Sequence, residues 1–325
     1  MKWLITGGCG FIGRALIRHL VAEGGHKIRV FDNLSVGSRD DLAREAEFVD
    51  LDYNIDQKYW QNELALITGD IMDGEMIQKA VVGADLVVHL AANTGVAPSV
   101  EDPNFDCSTN VIGTLNVLEA CRYENVTRMV FASSGAPLGM QVPPLHEEMA
   151  PHPASPYGAS KLAGEGYCSA YFYSYGVETI VLRFGNVYGE GSDKKNSVVA
   201  KFIKQALAGE TLEIYGDGSQ TRDFIYIGDL VRALYQAATV HDIGGETFQI
   251  ASSIETTVGN LAEKLVEAVR EVANIETKVI NVGERVGDVA QNFSNTSKAD
   301  RLLKWNPKID LEQGLRNTVC YFLDR

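Results

Sequence analysis

Cysteine is scarce and badly placed for bonding. The five residues, at positions 9, 107, 121, 168 and 320, are an odd number with no C-x-x-C pair among them. That argues against a disulfide framework and a zinc site and fits a reducing compartment. The six histidines are scattered without H-E-x-x-H spacing, so no metal is expected. Long apolar runs are also missing. No stretch approaches the roughly 18 apolar residues of a membrane span. The opening Met1-Lys2-Trp3-Leu4-Ile5 breaks at Thr6-Gly7-Gly8, too soon for a signal-peptide core. Basic residues are outnumbered, 29 against 43 acidic, for a net charge of −14. A surface that acidic repels nucleic-acid backbones and anionic lipid heads, leaving room only for small local anion sites. The expectation is a cytoplasmic protein with no nucleic-acid or membrane partner.

What is present is an ordinary apolar fraction, 45% of 325 residues, enough for a sizeable core. Residues 2–6, 27–31, 64–68, 84–90, 128–133 and 178–182 read as strands, several as unbroken apolar runs such as Leu86-Val87-Val88 and Met129-Val130-Phe131. Such runs mark strands buried on both faces of a parallel sheet. Helical patterns alternate with them, at 11–23, 105–123 and 156–175. The alternation predicts an α/β fold, a Rossmann-type doubly wound parallel sheet. After residue 183 the order loosens into glycine-rich loops at 188–196 and 216–222 and helices at 196–208, 228–240 and 257–272. This suggests a smaller C-terminal substrate-binding domain. The division expected is 1–182 with about 224–252 for the dinucleotide, and 183–223 with 253–325 for the substrate. The helix at 156–175 carries Tyr157, Tyr167, Tyr171, Phe172 and Tyr175, more aromatic surface than one sheet face needs. The excess suggests pairing with a second copy in a helix bundle, hence a homodimer.

Thr6-Gly7-Gly8-Cys9-Gly10-Phe11-Ile12-Gly13 joins the first strand to the first helix, with glycines at 7, 10 and 13. Glycines there allow a tight turn, let backbone approach a pyrophosphate and let helix pack closely on strand. The helix start adds free N–H groups and partial positive charge. Asp32 ends the second strand about 20 residues further on, where a carboxylate accepts ribose hydroxyls and repels a 2′-phosphate. NAD is therefore expected over NADP. Asn33, Asp70 and Ile71 at neighbouring strand ends are candidates for the adenine side, and Leu90, Ala91 and Ala92 follow the fourth strand at the edge where such sheets bind ligands. Asn110, in the 105–123 helix, completes the cofactor set.

Tyr157 and Lys161 stand at i and i+4, so on a helix they share a face. A nearby ammonium is expected to lower the phenol's pKa and ready it to take a proton from a hydroxyl. Ser134 lies just past the 128–133 strand, where its hydroxyl can bridge substrate and Tyr157.

TGGCGFIG, Asp32, the S-S-x-x-x-x-G run at 133–139, YGASK and RDFIYIGD together resemble the extended short-chain dehydrogenase/reductases, and more narrowly the nucleotide-sugar epimerases of the UDP-glucose 4-epimerase type. The similarity runs from Lys2 to the C-terminal helix. It implies that Gly7, Gly10 and Gly13 form the pyrophosphate loop, that Asp32 is the ribose carboxylate, and that Ser134, Tyr157 and Lys161 are catalytic. It also implies that Asn186, Arg222 and Arg285 hold the UDP diphosphate and that Asp288 is a substrate-binding residue. Leu212–Tyr215 and Phe202 lie where relatives bind uracil.

Dehydratases of the superfamily place Asp-Glu at the positions of Gly135 and Ala136, and decarboxylating relatives place Glu at the second. Gly135 and Ala136 can serve neither as acid nor as base, so oxidation at one carbon followed by re-reduction remains. The expected reaction is 4-epimerisation of UDP-glucose and UDP-galactose. Asn292 stands where relatives control room at sugar carbon 2, which opens the N-acetylhexosamine pair; Lys194 and Lys195 raise a UDP-uronic acid alternative. Pro137 and Leu138 replace Val-Tyr of relatives, removing a phenol near the pocket. A nucleotide-sugar reductase and a non-catalytic NAD sensor are the rival readings; Asp32 weighs against the first and the Tyr157–Lys161 pair against the second.

Overall fold

The computed structural model describes residues 1–51, 60–283 and 290–324. Its strands are β1 (Lys2–Thr6), β2 (Lys27–Asp32), β3 (Val49–Asp50), β4 (Leu64–Thr68), β5 (Leu86–His89), β6 (Arg128–Ser134), β7 (Glu178–Phe184), β8 (Asn186–Tyr188), β9 (Leu212–Tyr215), β10 (Thr221–Arg222), β11 (Phe224–Tyr226), β12 (Thr247–Ile250), β13 (Thr256–Thr257) and β14 (Val279–Val282). Eight of them form one parallel sheet in the order β12-β7-β6-β5-β1-β2-β4-β3. The α/β, doubly wound reading of the sequence stands.

Alternation along each central strand explains the two covered faces. Trp3 and Ile5 of β1, Leu86 and Val88 of β5 and Val130 of β6 enter one apolar cluster. Leu4, Val87, Met129 and Phe131, the residues between them, enter a second on the other face. Helices Phe11–Glu23 and Ile227–Thr239 cover the first face through Leu16, Ile17, Leu20, Leu230 and Leu234. Helices Gly74–Val81, Gly113–Tyr123 and Pro156–Tyr175 cover the second. Each fully buried Leu or Ile contributes about 1.5–3 kcal/mol, so this bilayer of contacts dominates the stability. Among the described residues no helix is long and apolar enough to cross a membrane.

Beyond the sheet, helices Val198–Leu207, Val258–Ala273 and Leu311–Leu323 build a third apolar cluster around Phe202, Leu261, Leu265 and Leu315. Short pairings sit beside it: β8 with β11 and β9 with β14 in parallel, β10 with β13 antiparallel. Ala299, Leu303 and Trp305 return from the C-terminal part to the first cluster, where the Trp305 indole N–H donates to the Asp229 carbonyl at 2.9 Å.

One expected element is broken. The helix over 105–123 is instead Pro103–Cys107, a wide π turn at Ser108–Ile112, and Gly113–Tyr123. The wide turn carries Asn110 inwards, and Gly113 lies so close to Ile71 that an added Cβ would meet its side chain at 2.6 Å.

The long helix Pro156–Tyr175 starts on Ser155, whose Oγ accepts the Gly158 N–H at 3.1 Å, with Pro156 in the first turn where its missing donor costs nothing. It is pinned to the sheet by a buried ion pair. Arg183 of β7 donates Nε and Nη2 to the two oxygens of Glu165 at 2.9 and 2.6 Å, and Ser133 Oγ donates to the same carboxylate at 2.5 Å. Glu165→Leu leaves the guanidinium buried without its partner and is expected to cost about 3–5 kcal/mol in urea unfolding, whereas Glu165→Leu with Arg183→Leu recovers most of that loss. A single variant as stable as wild type would show that the pair is not shut away from water in solution.

Candidate active site

The strand order reverses between β1 and β5, and there a crevice opens at the carboxyl edge of the sheet. The glycine turn fills its floor. Gly7 leaves β1 at φ +68°, a conformation that favours glycine, and an added Cβ would lie 2.7 Å from the Ala91 nitrogen. At Gly13 an added Cβ would lie 2.5 Å from the Gly8 Cα, so only glycine lets the helix pack onto the turn. Gly10 caps helix Phe11–Glu23 without a side-chain bond, leaving the first N–H groups to whatever sits at the turn. Phe11 and Ile12 pack their side chains against the first cluster.

Asp32 stands at the end of β2, 8% exposed, accepting the Cys9 and Leu34 N–H groups at 2.9 and 2.8 Å. Burial raises its carboxyl pKa, and those two bonds oppose the rise. Each oxygen keeps a lone pair for a further donor. Beside it Asn33 Nδ2 donates to Asp70 Oδ2 at 2.9 Å while Asp70 Oδ1 accepts the Met72 N–H; Ile71 is buried beneath.

From the crevice a buried polar chain runs to the helix of Tyr157. Thr114 Oγ1 donates to the Asn110 carbonyl at 2.6 Å, so its oxygen must accept from His89 Nε2 at 3.0 Å. That assigns the proton to Nε2 and leaves Nδ1 to accept the Thr6 hydroxyl at 2.7 Å. The Thr6 oxygen in turn accepts the Leu90 and Ala91 N–H groups, both at 3.2 Å. Asn110 Nδ2 reaches the Asn93 carbonyl, Asp106 Oδ1 and Ser160 Oγ at 2.9, 3.0 and 3.1 Å. Asp106 is fully buried and has no polar neighbour at Oδ2.

Ser134, Tyr157 and Lys161 gather at the next strand edge. Ser134 Oγ accepts the Ala136 N–H at 3.2 Å, and its hydroxyl is near enough to the Tyr157 phenol to lower that phenol's pKa. Lys161, 4% exposed, donates Nζ to the Ala132 carbonyl at 2.9 Å. Here the expectation of an ammonium-acidified phenol is corrected. Burial pushes the Tyr157 phenol up to about 12, with Ser134 opposing and Asp106 adding to the rise. Burial pulls Lys161 down to about 8, opposed first by Asp106. One of the three N–H donors of Lys161 goes to a backbone carbonyl, and loss of water is the largest cause of both shifts.

The remaining candidates lie on the facing segments. Asn186 is exposed at the start of β8, its N–H donating to the Asp223 carbonyl at 2.8 Å. Arg222 lies in β10 and donates Nη1 to the Thr221 carbonyl at 2.7 Å. Asn292 is half-buried near the Leu145–Ser294 bridge. Arg285 and Asp288 lie outside the described residues. Three expectations change. Phe202 is 2% exposed inside the third cluster, so it presents no open ring to a base. Leu138 is fully buried in the short turn Ala136–Leu138, packed away from any pocket surface. Lys194 forms a 2.5 Å ion pair with Asp41 instead of facing a sugar.

Sequence reasoning missed Asp223. It is buried and accepts four bonds, from the N–H and Oγ of Ser252 and the N–H groups of Ser253 and Ser294. It ties three segments together directly beside Arg222. The one signal was its place in R-D-F-I-Y, a polar residue entering an apolar run.

A glycine turn at the switch point, an uncapped helix start, a carboxylate at the end of β2 and a serine–tyrosine–lysine trio define a dinucleotide-using enzyme of the short-chain dehydrogenase/reductase class. The helix start that no side chain caps at Gly10, and the Asp32 carboxylate with lone pairs left for hydroxyl donors, fit the pyrophosphate and ribose of NAD. The chain belongs to the NAD dependent epimerase/dehydratase family, which matches residues 3–251. It is 34% identical over 330 residues to the UDP-glucose 4-epimerase of Mycolicibacterium smegmatis, covering 100% of this chain and 99% of the relative. Its structure resembles the Thermotoga maritima UDP-glucose 4-epimerase with UDP-glucose (TM-score 0.87, 35% identity, 100% and 99% covered). It equally resembles the UDP-N-acetylglucosamine 4-epimerase of Methanobrevibacter ruminantium (TM-score 0.87, 31% identity, 99% and 98% covered).

Burial and the Lys161 charge hold His89 down at about 3, below its unfolded value of about 6.5. The native state thus binds fewer protons than the unfolded one. The stabilisation is complete above pH 6.5 and drains as pH falls towards 3, with a slope approaching 1.4 kcal/mol per pH unit. His89→Gln, which cannot titrate, is expected to lose that part of the slope in denaturant melts between pH 6.5 and 4.5; equal slopes would refute a buried neutral imidazole.

Proposed function

We propose that the protein is an NAD-dependent 4-epimerase of a UDP-hexose, working on the UDP-glucose/UDP-galactose pair and on the N-acetylhexosamine pair. One observation carries the reading: the two residues that follow Ser134 are Gly135 and Ala136, the second contributing only its backbone N–H to Ser134. Neither of these two positions carries a carboxyl to expel a hydroxyl or to assist loss of carbon dioxide. NAD, held by the Gly7–Gly13 turn and Asp32, would supply a reversible acceptor for the hydride of sugar carbon 4. Tyr157 takes the proton of the 4-hydroxyl and returns it, and Ser134 shares that hydrogen bond. Lys161 and the Asn110–Ser160 link fix the helix that presents the phenol. Asn186 and Arg222 hold the diphosphate about which the flat 4-keto sugar turns, with Arg285, Asp288 and Asn292 completing the substrate side.

The sheet-bearing residues 1–182 and 224–252 then form the NAD half, and 183–223 with 253–325 the sugar-nucleotide half. A homodimer fits the exposed Val100, Phe105, Ile112, Tyr167 and Tyr173 on the helices of one face. The five free cysteines fit a cytoplasmic protein. A UDP-uronic acid substrate has less support, since Lys194 is committed to Asp41.

Incubation of the purified protein with each UDP-sugar, with separation of products, is expected to interconvert a gluco/galacto pair without net change in nicotinamide absorbance. Tyr157→Phe should lower turnover by about 10²–10⁴-fold while the protein keeps its NAD. Net consumption of reduced cofactor would establish a reductase instead.

A further inference from the structure

Residues 189–195 fold back over the start of helix Phe11–Glu23. Arg14 Nη2 donates to the Gly191 carbonyl at 3.0 Å, and a Cβ on Gly191 would touch the Phe11 ring at 3.4 Å. Lys194 is fastened to Asp41, the Lys195 N–H bonds the Ser192 carbonyl at 2.9 Å, and Lys204 Nζ bonds the Lys195 carbonyl at 2.9 Å. The backbone of Lys195 is thus held from three sides, and its ammonium lies 5.0 Å from the centre of the Phe11 ring.

The carboxylates of this corner are taken. Asp41 receives Lys194 and Arg44, Glu45 receives Arg14 and Arg18, Asp193 receives Arg14 and the Tyr321 hydroxyl, and Glu190 receives Tyr226. Among the described residues Lys195 has no carboxylate and no hydrogen-bond acceptor for its ammonium, only the ring of Phe11. Lys195 is half-buried, and that burial lowers its pKa with no counter-charge to oppose the shift. An exposed cation–π contact offsets only about 0.5–1 kcal/mol. An anion is what the site lacks, and Phe11 is the first residue of the helix whose N–H groups are uncapped.

We propose that the Lys195 ammonium is a ligand of the dinucleotide's pyrophosphate, acting together with the free N–H groups at the start of helix Phe11–Glu23. The inference rests on the NAD-dependent reading and adds a charged contact from the far side of the site. Adjacent lysines then divide the work: Lys194 latches the segment to the β2 side of the site, and Lys195 meets the phosphate.

The test measures NAD itself. Wild type, Lys195→Met and Lys195→Arg are purified as holoenzymes, and NAD release is followed at low and high salt, with UDP affinity measured by calorimetry on the same preparations. Methionine keeps the stem against Phe11 and removes the charge, and equal melting temperatures confirm the fold. Lys195→Met should release NAD about tenfold faster than wild type and lose most of the salt dependence, while arginine stays near wild type and UDP affinity is unchanged in both. Unchanged NAD release in the methionine variant overturns the proposal. So does a fall in UDP affinity with NAD retention intact, which would assign the ammonium to the sugar nucleotide. Arginine failing as methionine does would reduce Lys195 to packing. Wild-type protein that holds no NAD would instead sink the NAD-dependent reading on which all of this stands.

Discussion

The hydrogen bond between the Thr6 hydroxyl and the His89 imidazole ties together the ends of β1 and β5, where the strand order of the parallel sheet reverses. Because the Thr6 oxygen also takes the Leu90 and Ala91 N–H groups, the strand ends come close enough that Gly7 admits no side chain. The same imidazole reaches Thr114, and through the Asn110 carbonyl and amide the chain continues to Ser160, three residues from Tyr157. The turn that seats the dinucleotide and the helix that presents the phenol therefore share one buried network. Such networks are costly when half-satisfied and rigid when complete. The neutral, single-tautomer histidine keeps this one complete without placing a charge behind the cofactor.

Burial also sets the chemistry. A phenol pushed up to about 12 and a lysine pulled down to about 8 are both biased to their neutral forms, the reverse of what spacing alone suggests. Low dielectric magnifies any charge brought near them. A positive charge held in that corner, such as an oxidised nicotinamide would carry, would lower the phenol more than the same charge would in water. Asp106, buried with one oxygen that accepts no hydrogen bond, pushes the phenol the other way.

What could be read from the sequence follows from the size of each signal. The central strands announced themselves because both faces are apolar, and Leu4 and Ile5 enter different clusters as a doubly wound sheet requires. The glycine turn and the helix Pro156–Tyr175, with its Ser155–Pro156 start, were legible as local chemistry. The pairs β8–β11, β9–β14 and β10–β13 were not, because strands of two to four residues carry no period. The π turn at Ser108–Ile112 was hidden in an otherwise helical pattern, since its cause lies in the packing of Gly113 on Ile71. Asp223 gathers partners from residues 252, 253 and 294, a relation set by tertiary structure alone. Lys194 and Lys195 are identical in sequence, yet one is neutralised by Asp41 and the other is not.

The charge balance gives that difference its weight. In a chain of net charge −14, phosphate recognition cannot rely on a broad positive field. Screening at physiological salt confines any attraction to about 8 Å. An anionic ligand must then be met by cations and backbone donors already in place, each shielded from the acidic surface by its own packing. Lys195 over Phe11, the helix start at Gly10 that no side chain caps, and Arg222 beside the Asp223 hub are groups of that kind. The acidic remainder repels phosphates that lack the shape to reach those points, so the same charge that weakens long-range capture sharpens the choice of ligand.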